Sequence, residues 1–245
     1  MSDFRSEAGS GSEKGLLTQN THYMVVRIGG DTLDVTVHEI QMNGSMKEIL
    51  KVTGGPYGGI KVNQQFENLL DELFGVENVR SYRQKFCSDW LSLTKEFKAK
   101  KRSDRILEET LMTNIRLPCS FVHQLSRKQT PAMNAYTKKG EVKLMNDEYL
   151  SLSSGMMKKL FKPTIDRIKD HLKGLLQNPE LFKVNTMLLV GGFADSTLLQ
   201  QEIKKAFSRQ VRVLVPDNAS AAVVKGALLF GKQPGKITER VVSTT

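Results

Sequence analysis

Apolar and polar positions alternate or recur in blocks along most of the chain, and the blocks predict its elements. Residues 23–28 and 33–40 read as two strands. In the second, Leu33, Val35 and Val37 alternate with Asp34, Thr36 and His38, a period of two with one buried face. Asn43-Gly44 predicts a turn and MNGSMKEILKV (42–52) a third strand, so 23–52 is expected to be an antiparallel meander. TGGPYGG (53–59) carries four glycines and one proline in seven residues. It predicts a loop whose backbone turns sharply or approaches something closely. Phe66, Leu69, Leu70, Leu73 and Phe74 then follow helical spacing, and Phe86, Trp90, Leu93 and Phe97 mark a second helical stripe.

LMTNIRLP (111–118) reads as a strand ended by Pro118, and 123–145 is polar and weakly patterned. A helix is expected over 146–161. Pro163 should start or kink the next one, which carries Ile165, Ile168, Leu172, Leu175 and Leu176 and stops at Asn178-Pro179. The last third is the most regular. NTMLLV (185–190) is a short apolar run, as in a buried strand. GGFADS (191–196), a helix over 197–207, a strand VRVLV (211–215) and an alanine-rich helix ending near Gly231 complete an α/β pattern. No internal repeat is visible.

Composition narrows the function classes. The chain has 245 residues with 39% hydrophobic content, suited to a folded globular protein. No apolar run reaches the roughly 18–20 residues of a membrane span, so no membrane partner is expected. MSDFRSEAGSGSEKG at the start has no apolar core and reads as a polar, disordered leader over 1–20. Cys87 and Cys119 form no CxxC pair, which fits a reducing compartment, the cytoplasm or alternatively the nucleus. His22, His38, His123 and His171 are scattered without metal-ligand spacing, so no metal site is expected. Net charge is +10, which admits an anionic partner. The densest cluster, KEFKAKKRSDR (95–105), falls at a helix end, where cations also suit the dipole. With no reader motif or interleaved aromatics, nucleic acid is not the expected partner.

Two glycine loops carry the candidate chemistry. Phosphate binding needs converging backbone N–H groups with no Cβ in the way, and a nearby hydroxyl adds a donor. Gly29-Gly30 with Thr32, in RIGGDT, meets that description. So does an ordinary hairpin turn. In LLVGGFADSTLLQ a strand feeds Gly191-Gly192 into a helix N-terminus, which lets an anion or a flat ring approach the backbone, or simply turns the chain.

The order RIGGDTLDVTV, TGGPYGGIKVNQQFENLL, LFKPTIDRI, LLVGGFADSTLLQQEI and VVKGALLFG across residues 23–231 resembles the second lobe of the actin/sugar-kinase/70-kDa heat-shock superfamily. Within it the chain looks like the heat shock 70 kDa protein 12 branch. The resemblance implies an α/β fold, the actin-like ATPase (ribonuclease H-like) second lobe, over 21–235. An inserted α+β subdomain would span about 60–160 and a flexible tail 236–245. It implies ATP or ADP as ligands. Gly29, Gly30 and Thr32 would form the second phosphate loop, Gly58 and Gly59 would face the cleft, and Gly191 and Gly192 would lie against adenosine. Lys101 and Arg102 would stand at the basic positions bordering adenine and ribose.

Departures from that pattern shape the expected function. The family opens this loop with Asp, any residue, then Gly-Gly-Gly-Thr. Here Arg27 replaces the aspartate and Asp31 the third glycine. Arginine only donates and cannot ligate a hard cation. The change from −1 to +1 at a few ångströms, with an effective dielectric near 20, is on the order of several kcal/mol against Mg²⁺. Mg²⁺ is therefore disfavoured, no catalytic residue is expected, and the chain alone should lack ATPase activity. An Arg27–Asp31 ion pair is expected to close the loop. Lys98 falls where the family has a glutamate beside the ribose, for which Glu96 could substitute by a two-residue slip. The family's first lobe would form the other wall of the cleft, and that lobe or another protein partner is expected to cover the open face. Two functions follow: a catalytically degenerate ATP/ADP-binding lobe, or a pseudo-nucleotide interaction module without ligand.

Overall fold

A computed structural model describes residues 20–232, 235 and 237–239. The expected leader therefore lies, apart from Asn20, outside the described residues. Strands β1 (His22–Ile28) and β2 (Leu33–Ile40) form an antiparallel hairpin in which Ile28 opposes Leu33 and Arg27 opposes Asp34. Met24, Val26 and Ile28 of β1 and Leu33, Val35 and Val37 of β2 are fully buried on one shared face, as the period of two requires. Strand β3 (Met46–Gly55) continues the meander, so Thr53, Gly54 and Gly55 extend a strand rather than opening the loop.

β1 also pairs in parallel with β7 (Val184–Val190), and β7 in parallel with β8 (Arg212–Leu214). A short strand β9 (Ile237–Glu239) lies parallel to the start of β3. The sheet order is β8-β7-β1-β2-β3-β9. The tail expected over 236–245 thus contains a strand, and its other residues lie outside the described ones. Helix α6 (Ser154–Leu176) packs against α7 (Thr197–Phe207), and α8 (Ala219–Lys232) packs against β7.

Between β3 and α6 the chain builds α1 (Ile60–Phe74), α2 (Val76–Lys85), α3 (Cys87–Lys100), β4 (Met112–Arg116), α4 (Cys119–Leu125), α5 (Pro131–Lys138), β5 (Val142–Met145) and β6 (Tyr149–Ser153). β4, β6 and β5 form a separate antiparallel sheet with β6 in the middle. The two expected helical stripes meet here. Phe66 of α1 stacks on Phe97 of α3 at 4.1 Å between ring centroids and 5° between planes. Such pairing adds to area burial and fixes the angle at which the helices meet.

Three readings need correction. The weakly patterned segment 123–145 contains α5 and β5. The helix expected over 146–161 begins only at Ser154; its first eight positions form the turn and second strand of the β5–β6 hairpin, turned by Asn146 and Asp147 at φ 51° and 54°, conformations that Asn and Asp adopt most readily among residues with a side chain. Pro163 neither starts nor ends a helix. It lies inside α6, where it leaves the Lys159 carbonyl without its intrahelical donor. Leu160, Phe161, Ile165 and Ile168, buried on both sides of it, hold the helix together.

Candidate functional site

The hairpin turn Gly29–Thr32 is closed by one hydrogen bond, from the Gly29 N–H to the Thr32 carbonyl at 2.9 Å. Among the described residues the N–H groups of Gly30, Asp31 and Thr32 donate to no backbone carbonyl. The loop before α1 is laced to this turn. Gly58 donates to the Asp31 carbonyl at 3.0 Å, Gly59 to Gly29 at 3.1 Å and Ile60 to Gly30 at 2.8 Å. Gly58 is required by that approach, since a Cβ there would stand 2.2 Å from the Gly30 carbonyl oxygen.

The second glycine loop arrives from β7. Gly191 adopts φ +98°, and a Cβ on it would stand 2.6 Å from the Ile28 carbonyl oxygen, so only glycine fits. Phe193 N–H donates to that same carbonyl at 3.0 Å. The ends of β1 and β7, adjacent in the sheet, therefore carry both glycine loops side by side. Ser196 caps α7 weakly, its Oγ accepting from the Leu199 N–H at 3.5 Å.

The end of α3 supplies the third wall. Lys101 is buried at 7% exposure. Its Nζ donates to the Gly59 carbonyl at 2.6 Å and to Asn63 Oδ1 at 2.7 Å, and lies 5.7 Å from the Phe193 ring centroid. Burial, then the positive charges of Arg102 and Lys98, pull its pKa down from 10.5 to about 8. These walls enclose a cleft of about 250 Å³. Gly29, Gly30, Gly59, Lys101, Arg102 and Gly192 line it, together with Ile60, Asn63, Lys98, Phe193 and Ser196.

Six of the nine expected binding residues thus meet in one cleft. Thr32, Gly58 and Gly191 stand behind its lining: Gly58 and Gly191 pack backbone against backbone, and Thr32 donates its hydroxyl to Asp34 Oδ2 at 3.1 Å. Asn63 and Phe193 were not expected. Asn63 lies three residues before Phe66 and seven before Leu70, a polar residue on an apolar stripe, and that was the available signal. The expected Arg27–Asp31 ion pair is replaced by Arg27–Asp34, Nη1 to Oδ2 at 2.5 Å. Antiparallel register explains the change. With Ile28 opposite Leu33, Asp34 is the residue that faces Arg27 across the strands, while Asp31 sits out in the turn.

A second groove of about 250 Å³ lies between α6 and α7. Its charges are already matched, Lys162 with Asp166 at 2.5 Å and Lys169 with Glu202 at 3.0 Å. Among the described residues no group of three or more His, Cys, Asp or Glu is placed to hold a metal. No described helix is long and apolar enough to cross a membrane.

A mixed sheet carrying paired glycine loops at one end, with a helical segment and a second sheet set between its strands, defines an actin-like ATPase fold. The chain is homologous to heat shock 70 kDa proteins 12A and 12B, which it matches over one lobe-sized segment. It is 38% identical to heat shock 70 kDa protein 12A of Homo sapiens over 228 residues, 91% of this chain and 34% of the relative. To heat shock 70 kDa protein 12B of Homo sapiens it is 34% identical over 242 residues, 97% of this chain and 35% of the relative. Chaperone protein dnaK1 of Synechococcus elongatus is 23% identical over 220 residues, 88% of this chain and 31% of its own length. The chain thus spans about a third of the length of these curated relatives. No protein-family model matches it.

Proposed function

We propose that the chain is a nucleotide-binding lobe that holds ATP or ADP in this cleft and does not hydrolyse it unaided. One observation carries the reading. Gly29, Gly30 and Gly192 line the cleft, yet neither φ nor packing requires glycine at any of them. A Cβ would meet nothing nearer than 3.6 Å at Gly29 and 3.8 Å at Gly30, and nothing within 4 Å at Gly192. Glycines that the fold does not demand make sense where a ligand must reach the backbone. The N–H groups of Gly30, Asp31 and Thr32, which donate to no backbone carbonyl among the described residues, then meet phosphate, and Ile60, 39% exposed, offers apolar surface to a base beside the buried Phe193. Arg27, tied to Asp34, supplies neither a metal ligand nor a base for an attacking water. The whole of 21–235 acts as the second lobe in this reading, with an inserted subdomain over about 60–160, in the cytoplasm. A first lobe or another protein forms the opposing wall.

Calorimetric titration of ADP against wild type and Gly192→Leu tests the reading. A Cβ at Gly192 meets nothing within 4 Å, so the leucine side chain starts from open cleft space. Affinity should fall by at least about tenfold, roughly 1.4 kcal/mol, with the melting temperature unchanged. Equal affinity in the two proteins would refute it. A second reading, an interaction module without nucleotide, is favoured by α8, where Val224 and Leu228 are 71% and 61% exposed. Apolar side chains on a helix that face water are surface for a partner. Failure of any nucleotide to bind would leave that reading in place.

A further inference from the structure

The cleft is walled by cations and by no carboxylate. Lys98, Lys101 and Arg102 line it, and no Asp or Glu does. The acids close to it in sequence are occupied or lie outside the lining: Asp34 is held by Arg27, Glu96 stands 3.6 Å from Lys100, and Asp31 and Asp195 are exposed. Lys101 cannot swing away, because two acceptors fix its ammonium. Lys98 and Arg102 are exposed and make no ion pair with a described residue. Their charge is available to a ligand, and the guanidinium fork of Arg102 suits phosphate oxygens in particular.

Magnesium in nucleotide sites is bound through one or two carboxylates together with the substrate phosphates. Among the lining residues a divalent ion would meet three cations and no such ligand, and the one carboxylate of the phosphate turn, Asp31, is exposed outside that lining. The phosphates of a nucleoside triphosphate without its metal carry two more negative charges than those of its magnesium complex, and would meet the same three cations favourably. We propose that the cleft selects the metal-free nucleoside di- or triphosphate over its magnesium complex, with Lys98 and Arg102 serving as the counter-ions. The inference rests on the nucleotide-binding reading above and concerns the ionic form that the site takes.

The test is calorimetric titration of the full chain with ATP and with ADP, once in EDTA and once in excess Mg²⁺, with adenosine as the phosphate-free control. Both nucleotides should bind on the order of tenfold more tightly in EDTA. Adenosine should bind more weakly than ADP. The double variant Lys98→Glu/Arg102→Glu should lose that preference and weaken binding in EDTA by at least about tenfold. Because both positions are exposed, its melting curve should match wild type. Equal or tighter binding in Mg²⁺ would overturn the selectivity while leaving nucleotide binding intact. Adenosine binding as well as ADP would remove the role of the cations. No binding of ATP, ADP or adenosine in either buffer would overturn both this inference and the reading beneath it.

Discussion

Replacing Lys101 with methionine isolates the energetics of the cleft wall. The ammonium is buried at 7% exposure, and burial with two neighbouring cations brings its pKa from 10.5 to about 8. Above about pH 8 the folded chain releases this proton, whereas the unfolded chain keeps it until about 10.5. The unfolded state therefore binds more protons across that window, and stability rises with pH through it. The neutral amine still has two N–H groups, enough for the Gly59 carbonyl and Asn63 Oδ1, so deprotonation need not cost either hydrogen bond. Integrating between about pH 7 and about pH 9.5 gives wild type roughly 2 kcal/mol of additional stability from this group. The Phe193 ring face, 5.7 Å away, favours the charged form and trims that figure by up to about 1 kcal/mol. Methionine keeps the chain length and removes the titration. Urea unfolding of both proteins at the two pH values reads the difference directly, and all other titrating groups cancel. The stability of wild type relative to Lys101→Met should grow by about 1–2 kcal/mol from the lower to the higher pH. A difference that stays constant or shrinks would refute the account of Lys101 as a charge held against its solvation.

Gly58→Ala should destabilise by about 1–3 kcal/mol, read as a lowered urea midpoint, because its Cβ would stand 2.2 Å from the Gly30 carbonyl and would force the two loops apart. A change below about 0.5 kcal/mol would mean that the loops separate freely. Asp34→Asn should cost no more than about 1 kcal/mol, a cost that fades in high salt, since the ion pair with Arg27 is only half-buried. A larger, salt-independent loss on chemical unfolding would mark the pair as part of the core.

The fold was legible wherever one face of an element is buried over its full length. β2 and α7 each carry an unbroken apolar period, and their expected and observed bounds agree closely; the stripe Phe66–Phe74 marks the C-terminal part of α1. Local signals failed where packing at a distance decides. α2, VENVRSYRQK, buries only Val79 and Tyr82, too few positions to show a period. Pro163 is a helix breaker by its own chemistry, but the sequence around it cannot show that residues on both of its flanks reach the same core. The Asn146-Asp147 turn was readable in principle, since those residue types favour positive φ, but the flanking strands are short and polar on one side.

The site divides in the same way. The glycine loops stand out in the sequence, but their composition cannot say which glycines the fold consumes and which it leaves for a ligand. Gly58 and Gly191 look like Gly29 and Gly192 until the Gly30 and Ile28 carbonyls are placed beside them. The cations of KEFKAKKRSDR divide similarly. As letters, Lys98, Lys100, Lys101 and Arg102 are equivalent. Helical geometry turns Lys101 inward onto the Gly59 carbonyl, pairs Lys100 with Glu96, and leaves Lys98 and Arg102 facing the cleft. A charge already committed to two acceptors holds the walls together. The uncommitted charges are the ones that can choose a ligand, so substitutions at Lys101 should register first in stability and those at Lys98 and Arg102 first in affinity.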